Sequence, residues 1–417
     1  MSAEFHSFLK INCATNSKMP SSDIAIDNKL VKKHYPNTNN DQELSFIFES
    51  DPNLCLLKNK IAIHLIIELD QNYVPDNGFV AKQFSSISVE LNSQKISNNK
   101  TNGEYWLNDW IVKYGNLNPD YVTSVYEIEG YFDKYGAFEE LSDDGKNQVI
   151  AHRRTDISIK NGKYVYEFIM TPNDSFLNEN HTLPPGVEMK LTFDRLTAQH
   201  SAISISTDQG LQGKVLELKD VFAQVEYISS PILRSYFDTK DVEPISYKYD
   251  EISVLCRSVP TNEQYIRLEN IKGGNTPDYV FFGLVKSSAL NGSLSYASGN
   301  FKNNGIKEVN LTLNGNSCHG YPIRIQNNFA IWPYQKYLST LGRLMDKSAA
   351  SQTRLSDFQN SVIFSHKFEG EEATQGWLGV TLALDQGLTD QYTLVMWTVH
   401  NVKATIDKFN QVDKFSL

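Results

Sequence analysis

Cys318 and His319 stand side by side in "GNSCHG" (Gly315 to Gly320). A thiol beside an imidazole is the raw material of nucleophilic catalysis. On a strand, however, adjacent side chains point to opposite faces, so the two cannot easily pair. A structural role outweighs a catalytic one. His64 lies in "IAIHLIIEL", where His64 and Ile66 share a face of a strand; the expectation is a satisfied, half-buried histidine. Asp70, Asn72 and Asp76 in "DQNYVPDNG" offer oxygens for calcium. Their spacing is not that of an EF-hand loop, and an Asx-rich hairpin loop is the better reading. Trp332-Pro333-Tyr334 could stack on a sugar. In an amphipathic helix such a stripe more often serves a core or a subunit interface.

Other chemistries leave no trace. The nine histidines (6, 34, 64, 152, 181, 200, 319, 366, 400) contain no His-x-His pair, which a metal-binding cupin would need. There is no HExxH helix, no Gly-x-Ser-x-Gly elbow and no phosphate loop; "SDDGK" reads as a surface turn. No catalytic, cofactor-binding or metal-binding residue is assigned, and no enzyme activity is expected.

The chain that must position these residues has 417 of them, more than one core usually supports, so two domains are expected. Aromatics make up 12%, enough for a large core and for contact surface besides. The net charge of −10 argues against general nucleic-acid binding, which needs cations to displace counterions from phosphates. Cys13, Cys55, Cys256 and Cys318 form no CxxC motif and read as free thiols. The N-terminus has no basic segment followed by an apolar one, so no signal peptide is expected. No apolar run reaches membrane-spanning length; "IAIHLIIELD" is interrupted by His64 and Glu68.

Residues 1–40 are polar and irregular, and read as an arm outside the sheets. From Leu44 the pattern changes to period two, in short runs rich in Ile, Val, Phe and Tyr. Turn residues such as Pro75-Asp76-Asn77-Gly78 and Pro184-Pro185-Gly186 separate several of them, as in a sandwich or barrel. "SSPILRSYFDTKDVEP" (Ser229 to Pro244) reads as a linker, which divides the chain into 41–232 and 233–417. Two segments have helical spacing: Gly103 to Asn116, with Trp106, Trp110 and Ile111 near one face, and Trp332 to Met345, with Tyr334, Tyr337, Leu338 and Leu341 on one face.

The two halves repeat each other. "FSSISVELNSQKIS" (Phe84 to Ser97) alternates and turns at Asn92-Ser93; "IKEVNLTLNGNSCH" (Ile306 to His319) alternates and turns at Asn314-Gly315. An aromatic helix follows each. "GVEMKLTFD" at Gly186 is matched by "GVTLALD" at Gly379, and each half closes with a long alternating strand. Four similar elements in one order point to a duplicated unit. With about eight strands per unit, the expected fold is all-β: two tandem eight-stranded jelly rolls, with helical excursions in long loops. The excursions, about Asn98 to Lys160 and Asn327 to Asn360, are expected to leave the ends of the sandwiches.

From Leu44 onward the chain resembles the double jelly-roll major capsid proteins, most closely those of Maverick/Polinton elements and their adintovirus-like relatives. The first half carries the likeness in "FSSISVELNSQKIS…GEYWLNDWIVKYG" and "FIMTPNDSFLNENHTLPPGVEMKLTFDR", with a Leu-Pro-Gly bend that has one extra proline. The second carries it in "TPDYVFFGLVKSSALNGSL", "FKNNGIKEVNLTLNGNSCHGYPI" and "YTLVMWTVHNVKATIDKFNQV". Ser93 stands where a glycine is usual, which leaves the turn type open. The resemblance implies a homotrimer: a pseudo-hexagonal capsomer that meets neighbouring capsomers, penton and minor capsid proteins in an icosahedral shell around double-stranded DNA. It implies a virion capsid assembled inside the host cell, without sequence-specific nucleic-acid binding, membrane span or cofactor.

Two rivals stand beside it. One is a two-domain β-sandwich that binds carbohydrate or a receptor, which would want exposed aromatic platforms. The other is an enzyme on a bicupin-like scaffold, disfavoured by the missing His-x-His. For the arm, the basic cluster "KLVKK" with His34 suggests assembly contacts rather than subunit folding; its counterpart is His152-Arg153-Arg154.

Overall fold

The structure is a computed structural model. It describes residues 28–49, 51–98, 105–116, 127–132, 138–154, 157–178, 182–206, 210–229, 231, 244–325, 330–341, 355–368, 375–407 and 410–416. The first half supplies eight principal strands: β1 (Asn28–His34), β2 (Glu43–Phe48), β3 (Cys55–Asp70), β4 (Phe84–Leu91), β5 (Gln94–Asn98), β6 (Lys163–Met170), β7 (Met189–Arg195) and β8 (Lys219–Ser229). The second supplies β9 (Ile245–Val259), β10 (Tyr265–Asn275), β11 (Tyr279–Lys286), β12 (Ile306–Leu313), β13 (Asn316–Ser317), β14 (Phe364–Lys367), β15 (Gln375–Leu384) and β16 (Tyr392–Ile406). A tail strand, β17 (Val412–Ser416), pairs with β16.

Each half builds its sandwich from two antiparallel sheets, and the first adds a two-stranded pair of Tyr73–Pro75 with Ala202–Ser204. The first half orders them β1-β8-β3-β6 and β2-β7-β4-β5; the second orders them β9-β16-β11-β14 and β10-β15-β12-β13. Counted within its own half, each pair of sheets reads 1-8-3-6 and 2-7-4-5. That is the strand order of a jelly roll, repeated, so the chain is a double jelly roll. No sheet mixes strands from before Ser229 with strands after Ile245 among the described residues.

Alternation explains why these segments pair. In β3, Ile61, Ile63, Leu65, Ile67 and Leu69 are buried while Ala62, His64, Ile66 and Glu68 face partly outward. β16 breaks the rule: Thr393 through Val399 are all buried, because both of its faces are covered.

The repeated turn is the same object twice, down to its hydrogen bonds. Asn92 and Ser93 have φ of 47° and 67°, Asn314 and Gly315 of 53° and 82°. Positive φ at both central residues is the type I′ hairpin, whose twist suits the flanking strands. The Asn92 backbone N–H donates to Glu188 O (3.0 Å), and the Glu188 N–H donates to Asn92 Oδ1 (2.9 Å). The Asn314 N–H donates to Trp377 O (2.9 Å), and the Trp377 N–H to Asn314 Oδ1 (2.9 Å). In both halves the turn asparagine thus caps the start of the seventh strand.

One expectation is corrected. The arm was expected to lie outside the sheets, yet β1 pairs with β8 along all seven residues, from Asn28↔Ser229 to His34↔Ala223. The basic cluster is engaged within the subunit. Lys29 pairs with Glu226 (2.8 Å) and Lys32 with Asp51 (3.4 Å). The Lys33 ammonium sits 3.5 Å from the Phe222 ring centroid, and His34 packs edge-on to Phe48 (5.2 Å). Residues 1–27 of the arm lie outside the described residues.

Helices occupy the excursions, α1 (Tyr105–Asn116), α2 (Asp143–Arg153) and α4 (Ile331–Thr340), while the short α3 (Ser175–Asn178) lies between β6 and β7. α2 corrects the reading of "SDDGK" as a surface turn. Ser142 is its N-cap and accepts from the Gly145 N–H (3.2 Å), with Asp143 and Asp144 in the first turn.

Two outcomes are expected. Ser93→Gly should raise stability by about 0.5–1 kcal/mol, because an L-residue at positive φ costs about 1–2 kcal/mol and glycine little. Gly315→Ala should lower it by a similar amount, and paired urea melts would read both. Deletion through His34 should lower the melting temperature well below that of a deletion through Asp27, since only the first removes β1.

Candidate functional site: the seam between the two rolls

The buried and exposed residues that sequence reasoning singled out gather at the seam between the rolls and on their flanks. α1 crosses from the first roll to the second. Tyr105, Trp106 and Leu107 are buried in the first roll, with Tyr105 edge-on to Phe84 and Phe193. Three residues on, Trp110 packs against Phe301 (4.6 Å) and Trp397 (6.1 Å, 17° between planes) of the second roll, which also touch each other (5.4 Å). The Trp397 indole N–H donates to Leu107 O (3.1 Å). Lower along the seam, Tyr247 and Tyr249 of β9 donate to Thr182 O (2.9 Å) and Ile96 O (3.1 Å), and both meet Phe176 edge-on. Burial pushes the Tyr249 phenol well up, with Glu251 adding to the shift.

The tail fastens the same seam. Asn92 Nδ2 donates to Asn410 O (2.8 Å), Asn410 Nδ2 donates to Gly186 O (3.3 Å), and Lys414 pairs with Glu251 (2.6 Å). The repeated turn and the Leu-Pro-Pro-Gly bend are thus tied to the far end of the chain.

Asp76 is not part of a solvent-exposed calcium loop. It is buried, ion-paired with buried Lys82, and lies 3.4 Å from both the backbone N and the hydroxyl of Ser298 in the second roll. Burial holds the Lys82 ammonium below its ordinary value, and Asp76 opposes that shift. Asp70 instead pairs with Lys163 (3.4 Å) at the surface. Arg153 is also buried: its guanidinium donates to Pro75 O (2.6 Å) and lies over Phe132 and Phe138. Arg154 donates to Gln71 O (2.6 Å) and covers Tyr164 (4.3 Å). The second basic cluster is therefore internal mortar rather than a cationic patch. A small polar pocket at the seam is lined by Ser97, Asn108, Asp174, Tyr249 and Glu251, with room for about one water.

His64 is satisfied as expected. Its Nε2 meets Glu167 (2.6 Å), its Nδ1 lies 3.2 Å from Asp220 O, and its ring stacks on Phe222 (4.6 Å). His319 turns away from Cys318 and packs edge-on to His366 (4.6 Å, 81°), bridging the hairpin after β13 to β14 in the opposite sheet. Among the described residues, no three His, Cys, Asp or Glu side chains are grouped to hold a metal ion. Cys55 is buried and Cys256 and Cys318 are half-buried; Cys13 lies outside the described residues. No helix among the described residues is long and apolar enough to cross a membrane.

The aromatic stripe of α4 splits. Tyr337 is buried against Phe281 and Phe358, while Ile331 and Trp332 are more than half exposed. Sequence reasoning missed Trp377, which lies across Gly273 so closely that a Cβ there would come within 2.4 Å of the ring. Its outer face is open, and the signal was the glycine pair Gly273-Gly274.

No protein-family profile matches the chain. An uncharacterized protein of Caenorhabditis elegans is 23% identical over 309 residues, 69% of this chain; the chain spans 66% of that relative. Among solved structures, a chain of the Sputnik virophage aligns with a TM-score of 0.64 at 10% identity, over 96% of this chain and 91% of that one. The mavirus major capsid protein aligns at 0.57 and 9%, over 96% and 92%. A chain of the PBCV-1 virus capsid aligns at 0.55 and 12%, over 92% and 96%. At these identities the likeness establishes the fold.

The histidines give the seam and flanks a pH dependence. Burial pushes His319, His366 and His400 down to about 4, helped by His366 and Lys336 at the first, Lys336 at the second and Lys272 at the third. A group whose folded pKa is depressed adds stability above its unfolded value, about 6.5, and loses it as pH falls toward 4. The melting temperature is expected to fall between pH 7 and pH 4, and His319→Gln with His366→Gln should flatten that slope. An unchanged slope in the double variant would assign the acid sensitivity elsewhere.

Proposed function

We propose that this chain is a viral major capsid protein whose homotrimer forms a pseudo-hexagonal capsomer. The observation that carries the reading is the identical 1-8-3-6 and 2-7-4-5 strand order of two rolls fused side by side. A chain that binds with one roll has no need of a fused second copy, whereas a hexagonal tile filled by three chains does. The structural likeness to capsid chains over more than nine-tenths of this chain supports it. The rolls divide between Ser229 and Ile245 in this reading. The finer assignments follow from it: an icosahedral shell around double-stranded DNA, penton and minor partners, and an origin in a Maverick/Polinton-type element. A relative in a nematode suits an element carried in an animal genome.

The carbohydrate- or receptor-binding reading keeps the exposed indoles of Trp377 and Trp332 in its support. Purified full-length protein examined by negative-stain microscopy and sedimentation is expected to give trimers that tile as hexagonal plates or shells. Monomers at micromolar concentration, together with selective signals on a glycan array that Trp377→Ala abolishes, would instead favour the sugar-binding module.

A further inference from the structure

Within the chain the two rolls meet through a helix. α1 follows the fifth strand of the first roll and lies against the outer face of β16, the eighth strand of the second, with Trp110 on Trp397. The second roll carries the matching helix, α4, after its own fifth strand, but the first turn of α4 stays largely exposed. Ile331 and Trp332 there are 53% and 60% exposed. The matching face is open as well, except where the Lys33 ammonium lies over the Phe222 ring. On the first roll's eighth strand, Phe222 points outward in register with His64 of β3, and His64 with Ile169 of β6. Ile169 is 40% exposed, and Val31 on neighbouring β1 is 48% exposed. One helix and one face, equivalent to the pair that meets inside the chain, are thus left over at opposite ends of it.

We propose that these two surfaces meet between copies: α4 of one chain, through Ile331 and Trp332, packs on the Phe222–His64–Ile169 row of a second copy. The inference rests on the trimer reading and names its interface. The contact is heterologous, with a different patch on each partner, and such contacts make rings when the rotation closes. If every roll-to-roll step repeats the step inside the chain, six rolls close the ring and three chains supply them. The occupant is a second copy because the internal contact is a working template for it. Its chemistry matches: an aromatic helix face against an apolar row with the His64–Glu167 pair beside it.

The test uses the full chain. Trp332→Glu and Ile169→Glu alter exposed side chains, so each should melt as a folded protein while sedimentation shows the trimer fraction reduced at least about tenfold, as for a central interface tryptophan. Trp332→Phe should retain the trimer. Cysteines placed together at 332 and 169 should, on mild oxidation, give covalent species of up to three chains, which neither single cysteine variant gives. A wild-type trimer that both Glu variants leave intact, with no cross-linked species, overturns this interface and leaves the trimer standing. A wild type that is only monomeric overturns the trimer reading and this interface with it.

Discussion

The packing of Trp110 against Phe301 and Trp397 is the contact on which the rest of the structure depends. A chain of 417 residues exceeds what one core usually serves. Two sandwiches could each have closed on themselves and hung on a linker. Instead a single cluster of buried apolar residues runs from Leu44 and Ile63 in the first roll to Met396 and Trp397 in the second. Fully burying a large apolar side chain is worth about 1.5–3 kcal/mol. Several such residues at the seam therefore hold the rolls in one relative orientation, which separate domains on a flexible tether would lack.

Polar groups at the seam set the register that apolar contact leaves loose. Lys82 and Asp76 are both buried, and taking such a pair out of water costs several kcal/mol per ion unless further hydrogen bonds complete it. Ser298, from the other roll, supplies that completion. Lys58 is buried too, its ammonium donating to Phe176 O of its own roll and lying 6.0 Å from the Tyr247 ring of the other. These groups add little net stability over an apolar substitute. They penalise every arrangement in which the partner roll is shifted, since a shift strands a charge.

How much of this could be read from the sequence follows the range of each interaction. Strands buried on one face, such as Ile61 to Leu69, are legible because the alternation is local. The duplication was legible in Asn92 and Asn314, since a type I′ turn demands particular residues. β1 was not, because an edge strand is blunted with lysines, and "KLVKK" looks like a solvated tail unless Glu226 and Asp51 are known to lie beside it. α2 escaped because only Val149 and Arg153 of its residues are buried; the cap at Ser142 was the one available signal. The cross-seam role of Asp76 was hidden for a different reason. Its partner Lys82 is six residues away, but Ser298 is 222 residues away, and no local pattern reports a contact of that separation.

The two copies of the turn show how a duplicated fold becomes one molecule. Each asparagine bonds its own seventh strand in the same way, so each retains the job of holding a hairpin. Asn92 alone does more: its Nδ2 reaches Asn410 in the tail, and Asn410 reaches Gly186. The turn that carries this extra duty is also the one with serine in place of glycine. Gly315 has open space where a Cβ would be, and only its φ requires glycine. Ser93 tolerates the same backbone because the tail and the seventh strand brace the turn from two sides. Strain can persist where the surroundings over-determine a conformation. Among the described residues the second roll's turn is bonded to its seventh strand but not to the tail, and there the unstrained residue stands.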